Sequence, residues 1–366
     1  MKNTFGSSVA VTLFGESHGA AIGAVLDGMA PGIAVSEDFI AEKMRLRQGP
    51  AALSTARREP DRVKILSGVV DGKTTGTPIT LMIENTDTRS GDYASLSRLP
   101  RPGHADYTAH CKYHGYQDAR GGGHFSGRLT APLVAAGAIA ISALSGLGIR
   151  IGTHVASCAG ISDRPFLDLS SDLAYLDGAD LGVLSEKSAK AITEAIERAR
   201  GEGDSVGGVL ETAVIGLPAG VGEPWFDTVE GVLSHALFSI PAVKGVEFGD
   251  GFALAGLLGS EANDPFRMEG ERVVTATNRA GGILGGITTG MPLIVRAAVK
   301  PTPSIYREQE TVDLQRGENA TLSLTGRHDP AIVHRARVVA DSVIALALCD
   351  LLALRFGTDY LAGGAK

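Results

Sequence analysis

Five stretches of this chain hold residues suited to moving protons, binding anions or lying against a flat ligand, and each is bent by glycine or proline. In "GESHG", residues 15–19, glycines on both sides let Ser17 and His18 face a ligand. The spacing imitates a nucleophile elbow, but that device needs a helix after the turn, and an apolar, strand-like run follows here. "RPGHADYT", residues 101–108, sets His104 two positions before Asp106, a spacing that lets a carboxylate orient or charge an imidazole. "RGGGHFSGRLTA", residues 120–131, offers backbone N–H groups from three glycines, the Ser126 hydroxyl, Arg128 and the positive end of a following helix. Together these make an anion cradle. "AGGILGGITTG", residues 280–290, lets a flat ligand lie against backbone at Gly281, Gly282, Gly285 and Gly286, although its spacing is not that of a dinucleotide fold. "KPTPSI", residues 300–305, adds Lys300 and Ser304 for a phosphate.

The arginines concentrate in the same way. Arg45 and Arg47 end a helix-like segment, and Arg57, Arg58, Arg101, Arg120, Arg128 and Arg327 stand in shaped turns, where a guanidinium fork suits phosphate or carboxylate. Taken singly, every one of these features has a plainer reading: a local turn, a solvated loop histidine, a glycine-bulged strand, a surface arginine. His110 and His114 flank Cys111, but HCxxH lacks a zinc spacing and a second cluster, so no metal is expected.

Elements must hold these turns. Residues 9–14 and 21–26 read as strands around "GESHGAA", and Ser36 reads as the N-cap of a helix running to Arg47. Residues 62–70 and 77–83 form a hairpin signal around "DGKTTG". Thr130 is placed to cap a helix with Pro132 in its first turn, apolar on every face through 133–144 and therefore buried. Residues 185–200 pattern as an amphipathic helix, and 209–215, 243–258, 273–277 and 293–299 as strands. A second buried helix follows "RHDP", with Pro330 near its start and Gly357 as its stop. Buried helices with many short strands and no regular βαβ alternation give α+β, as a single domain over 1–366, built of two similar halves that share the device of a polar turn leading into an apolar helix.

Bulk numbers set limits on partners. The net charge is −7 with 20% charged residues and no like-charge block, so there is no electrostatic footprint for nucleic acid or an acidic membrane. Three separated cysteines without a CxxC pair read as packing residues, and 48 glycines, about twice the usual share, imply many loops converging. The first apolar run is too short for a signal peptide and no stretch approaches the length of a membrane span, so the expected location is the cytoplasm.

In order, "FGESHG", "RREPDRVKILSGVVDGKTTGTPI", "IENTDTRSGDY", "RPGHADYT", "RGGGHFSGRLTA", "KGVEFGDGF", "AGGILGGITTG", "KPTPSI" and "GRHDP" resemble the motifs of chorismate synthase, from about Phe5 to Leu352. The resemblance implies a β-α-β sandwich, helices between two antiparallel sheets, assembled as a homotetramer. It implies a lyase of the shikimate pathway that forms chorismate from 5-enolpyruvylshikimate 3-phosphate by anti-1,4-elimination, using reduced FMN. No flavin reductase segment or nicotinamide site is recognisable, so an external flavin reductase is expected to supply reduced FMN. By resemblance, His18 is the acid for the leaving phosphate, His104 protonates reduced flavin and Asp329 acts near flavin N5. Ser17, Arg47, Arg57, Arg101 and Arg128 fall at substrate positions. His124, Phe125, Ser126, Pro241, Ala242, Gly285, Lys300, Pro301, Thr302, Pro303, Ser304 and Arg327 fall at cofactor positions.

Two departures stand out. The family loop reads GGGRSSARETA or GGGRSSGRETA, whereas His124 and Phe125 stand here in place of arginine and serine, and "QGPAALSTA" lacks a further arginine for which Arg57 is the candidate substitute. Either His124 replaces the lost charge and FMN binds more weakly, or the loop is rebuilt as a unit with Phe125 packed against the ring or a neighbouring subunit. Two rival functions remain: a non-catalytic paralogue binding FMN or a phosphorylated sugar acid, and a phosphate-ester hydrolase using Ser17 and His18.

Overall fold

Apolar runs cut by glycine turns give the chain its strands. The computed structural model describes residues 2–50, 53, 61–86, 98–324 and 328–363. Strands Thr4–Phe5, Ala10–Gly15, Ala21–Asp27, Ile79–Glu84 and Lys64–Ser67 lie in that spatial order in one antiparallel sheet. Strands Val243–Phe248, Leu293–Val299, Gly208–Ile215, Arg150–Cys158 and Ile161–Ser162 form a second. The helices, in chain order, are α1 (Glu37–Gln48), α2 (Asp106–Tyr113), α3 (Thr130–Gly146), α4 (Leu169–Gly178), α5 (Glu186–Gly201), α6 (Val229–Phe238), the single turn α7 (Gly259–Ala262) and α8 (Val333–Phe356).

Helices α3 and α8 pack on one another and touch strands of both sheets, so the architecture is α+β with the two apolar helices as the filling of the sandwich. Their closest approach depends on Gly137: a β-carbon there would stand 2.2 Å from that of Ser342. One hydrophobic cluster draws residues from both sheets, including Ile22, Leu81, Leu210 and Val295, around Ile139 and Ile344.

Several local expectations hold. Ser36 caps α1 through Phe39 N–H at 3.2 Å, Ser185 caps α5, and Gly357 ends α8. Others are corrected. The residue at the N-cap of α3 is Leu129, and the Thr130 hydroxyl instead donates to Gly127 O at 2.6 Å. The run 243–258 stops being a strand at Phe248, because Gly249 and Gly251 at φ 55° turn the chain into a 3₁₀ segment, Gly251–Gly256. Cys158 and Cys349 are buried, as packing residues should be, but Cys111 is exposed. Residues 127–146 are long and apolar enough to cross a membrane by length and composition, contrary to expectation; 83% of that window is buried inside the protein.

The face of the second sheet turned away from α8 carries a row of alternating charge. Glu247 and Arg296, Arg296 and Glu211, and Glu211 and His154 are cross-strand partners. His154, 1% exposed, stands 3.0 Å from Glu211 and 3.1 Å from Asp163. Burial opposes its charge, but the hydrogen bonds to Asp163 and Glu211 outweigh that and raise its pKa. A raised folded pKa adds stability that is complete below the unfolded imidazole value, about 6.5, and is lost as pH climbs through the folded one. Unfolding titrations should therefore show stability declining on the alkaline side. His154→Ala should remove that decline and cost about 1.5–3 kcal/mol at neutral pH, the scale of a hydrogen bond to a charged group, because Arg296 still faces Glu211 and the Leu184 and Ser185 amides still bond Asp163. An unchanged alkaline slope in the variant would contradict this.

Candidate active site

The turn between strands Ala10–Gly15 and Ala21–Asp27 delivers Ser17 and His18, both buried, against the glycine triplet. The Ser17 hydroxyl donates to the carbonyls of Arg120 (3.2 Å) and Gly121 (3.1 Å) and lies 3.1 Å from His18 Nδ1, while Ser17 N–H donates to Gly123 O at 3.1 Å. Ser17 thus clamps one turn to the other, with its proton spent on carbonyls, an arrangement unsuited to a nucleophile. The triplet is left-handed throughout, with φ of 57°, 82° and 52°. Its lack of side chains is required: a β-carbon on Gly121 would lie 2.2 Å from His18 Cε1, and one on Gly122 3.2 Å from His104 Cε1. Two histidines more than eighty residues apart in sequence therefore rest on consecutive glycines of one loop.

His104 is held from behind. Its Nδ1 is 2.7 Å from Asp106 Oδ1 and 3.0 Å from Arg101 Nη2; since Arg101 Nη2 already donates to Asp106 Oδ1 at 2.8 Å, we assign the ring proton to Nδ1 on the shorter carboxylate contact, which leaves Nε2 for chemistry. Asp106 also receives Arg101 Nε and Nη2, each at 2.8 Å. Burial disfavours the Asp106 carboxylate, but hydrogen bonds from Arg101 and His104 outweigh it and hold the acid well below the usual range. Arg101 Nη1 then reaches Ser304 Oγ at 3.2 Å, and Lys300 Nζ donates to Gly103 O, so "RPGHAD" and "KPTPS" form one unit. Lys300 N–H donates to Ala242 O at 2.9 Å, bringing Pro241 and Ala242 alongside.

A second cluster closes the other side. Arg47, at the end of α1, donates to Thr130 Oγ1 (2.8 Å), Gly127 O (3.1 Å) and Asp61 (3.2 Å). Burial, with Arg335 nearby, lowers its pKa to about 9. Most of its fork is taken up in shaping the turn before α3. Asp61 also receives Arg128 Nη1 at 2.5 Å, so one carboxylate joins the two arginines. Asp329 pairs with Arg335, whose Nε donates to Arg47 O at 2.9 Å. Asp61 and Arg335 were not singled out by sequence reasoning. Asp61 lies inside a quoted motif, but nothing local shows which cations it meets.

His124 Nδ1 donates to Gly15 O at 2.8 Å, tying the loop to the first sheet, and the Phe125 ring stands edge-on to Tyr113 at 5.9 Å. Ser126 Oγ accepts from Arg128 N–H at 3.3 Å, while the carbonyl of Thr302 accepts from Ser205 Oγ at 2.7 Å. Gly285 lies in the turn of a small hairpin, where no atom of the described residues comes within 4 Å of where a β-carbon would be. Arg57 and Arg327 lie outside the described residues. Among the described residues no group of three or more metal-ligating side chains occurs.

The model of the chorismate synthase family matches residues 9–353. A chorismate synthase from Thermococcus kodakarensis is 48% identical over 352 residues, spanning 96% of this chain and 97% of that protein. One from Korarchaeum cryptofilum is 47% identical over 348 residues, spanning 94% and 96%. A crystal structure of chorismate synthase superposes with a TM-score of 0.75 at 29% identity over 98% of each chain. With its two-histidine glycine loop and a match that runs nearly end to end, the chain belongs to the chorismate synthase family.

Proposed function

We propose that the protein converts 5-enolpyruvylshikimate 3-phosphate to chorismate and phosphate by anti-1,4-elimination, using reduced FMN. The observation that carries this reading is the seating of His18 and His104 on consecutive glycines, which gives one loop two proton-handling groups. The residues fit a flavin. Among the described residues, Thr302 Oγ1 is buried with no hydrogen-bond partner, in the same turn as Lys300 and Ser304, and is suited to a phosphate or ring oxygen. Ala242 holds a left-handed backbone at φ 74° while its carbonyl takes the Lys300 amide, so 241–242 and 300–304 offer one continuous wall.

Reduced FMN held along 241–242 and 300–304 would supply electron density for breaking the C–O bond to phosphate, with no net redox change. His18 gives a proton to the departing phosphate. His104, fixed by Asp106, presents Nε2 for proton transfer to the cofactor. Asp329, held by Arg335, assists removal of the ring proton, and Arg128 faces the substrate's anionic groups. The His124 and Phe125 contacts support a loop rebuilt as a unit. Supply of reduced FMN by an external flavin reductase, cytoplasmic residence and a homotetramer belong to the same reading on family resemblance.

The hydrolase alternative gives a simple test. In anaerobic buffer with chemically reduced FMN, the substrate should yield chorismate; in flavin-free buffer no phosphate should be released. Phosphate release without flavin would overturn the proposal.

A further inference from the structure

We infer that Asn85 is a positioning residue: its side-chain amide locks the turn that carries His18 to the guanidinium of Arg128. Asn85 follows the strand Ile79–Glu84, and its backbone N–H donates to Ala20 O at 3.1 Å. Its Nδ2 donates to Glu16 O at 3.0 Å and Gly19 O at 2.9 Å, the two carbonyls that bracket Ser17 and His18. Its Oδ1 accepts from Arg128 Nε at 2.8 Å. The partners fix the amide's orientation, since carbonyls only accept and a guanidinium only donates; turned over, it would set oxygen against two oxygens and NH₂ against N–H. Both amide protons and the amide oxygen are therefore engaged, and the guanidinium they reach is held at its other end by Asp61 at 2.5 Å.

The consequence is a fixed spacing between a proton donor and an anion-binding fork. The inference rests on the reading above, in which His18 protonates the leaving phosphate and Arg128 faces substrate. Asparagine alone supplies two donors and one acceptor at this reach. Aspartate would keep an acceptor for Arg128 but set a carboxylate against the carbonyls of Glu16 and Gly19, which opens the turn. Glutamine carries the same groups one methylene too far.

The test uses the full chain with chemically reduced FMN under anaerobic conditions. Turnover is expressed per flavin-binding site, counted by flavin titration, so that misfolded protein drops out. Asn85→Asp should lower kcat on the order of a hundredfold, the scale of a misplacement of about 1 Å, while KM stays near the wild-type value because Arg128 keeps its acceptor. Asn85→Ala, which releases both ends, should lower kcat and raise KM. General loosening would give no such split. Wild-type kcat in Asn85→Asp, or identical kcat and KM in the two variants, would overturn the inference. If the unmodified protein forms no chorismate, the functional reading falls and takes this one with it; if it turns over and Asn85→Asp matches it, only the inference falls.

Discussion

Gly121→Ala should cost at least on the order of a hundredfold in kcat, the scale of misplacing a catalytic group by about 1 Å. The new methyl group would stand 2.2 Å from His18 Cε1 and 2.9 Å from Ser17 Oγ, on a backbone at φ 57°. Either the loop or His18 must move, and both moves separate the histidine from its seat. The left-handed backbone adds about 1–2 kcal/mol of strain, and the overpacking about 1–3 kcal/mol, so the melting temperature should fall as well. Gly127→Ala is the control in the same loop, because a β-carbon there meets nothing within 4 Å among the described residues and its backbone is not left-handed. Steady-state kinetics of the pair decide the point: equal activity would show that the glycine triplet does not position His18.

His18→Ala and His104→Ala should each reduce kcat by about a hundredfold or more while the protein stays folded, the usual scale for losing a positioned acid or base. Their surroundings predict a difference between them. His18 sits in a turn clamped by Ser17, so its removal should leave Asp106 and Arg101 undisturbed. His104 supplies one of the hydrogen bonds that depress the Asp106 acid, so His104→Ala should raise the Asp106 pKa from its very low value, with Arg101 keeping it below the ordinary carboxylate range. Carbon-detected NMR of the aspartate, together with kcat for both variants, measures this. Normal turnover in both variants would remove the histidines from the mechanism.

Much of this was legible in the sequence, and unevenly. Strands around "GESHGAA", the Ser36-capped helix and the two apolar helices follow from local signals, since glycine, caps and uniform hydrophobicity act over a few residues. The strand Arg150–Cys158 escaped notice because its polar members are buried on both faces: Thr153 bonds Thr212 and Asp341 towards α8, and His154 bonds Glu211 and Asp163 on the other side. Nothing in a period-2 pattern anticipates that. Helix α2 carries no side-chain cap and so lacked a boundary to read, whereas α6 begins at a capping threonine, Thr228, whose hydroxyl accepts from Gly231 N–H at 2.9 Å, a start signal that sequence reasoning passed over. The sandwich itself came from family resemblance rather than from patterning. At the site, residue types pointed to anion-binding arginines, but the partners that occupy them are distant in sequence. Asp61 joining Arg47 to Arg128, and Asp106 filling the fork of Arg101, are consequences of the fold.

The central claim is that this chain performs an elimination in which reduced flavin is required and not consumed. The most direct measurement mixes enzyme, chemically reduced FMN and 5-enolpyruvylshikimate 3-phosphate without oxygen, then quantifies chorismate, phosphate and flavin oxidation state together. Equal amounts of chorismate and phosphate, with the flavin still reduced after many turnovers and no product with oxidised FMN, is the predicted result. One flavin oxidised for each chorismate formed, or equal turnover with oxidised FMN, would contradict it.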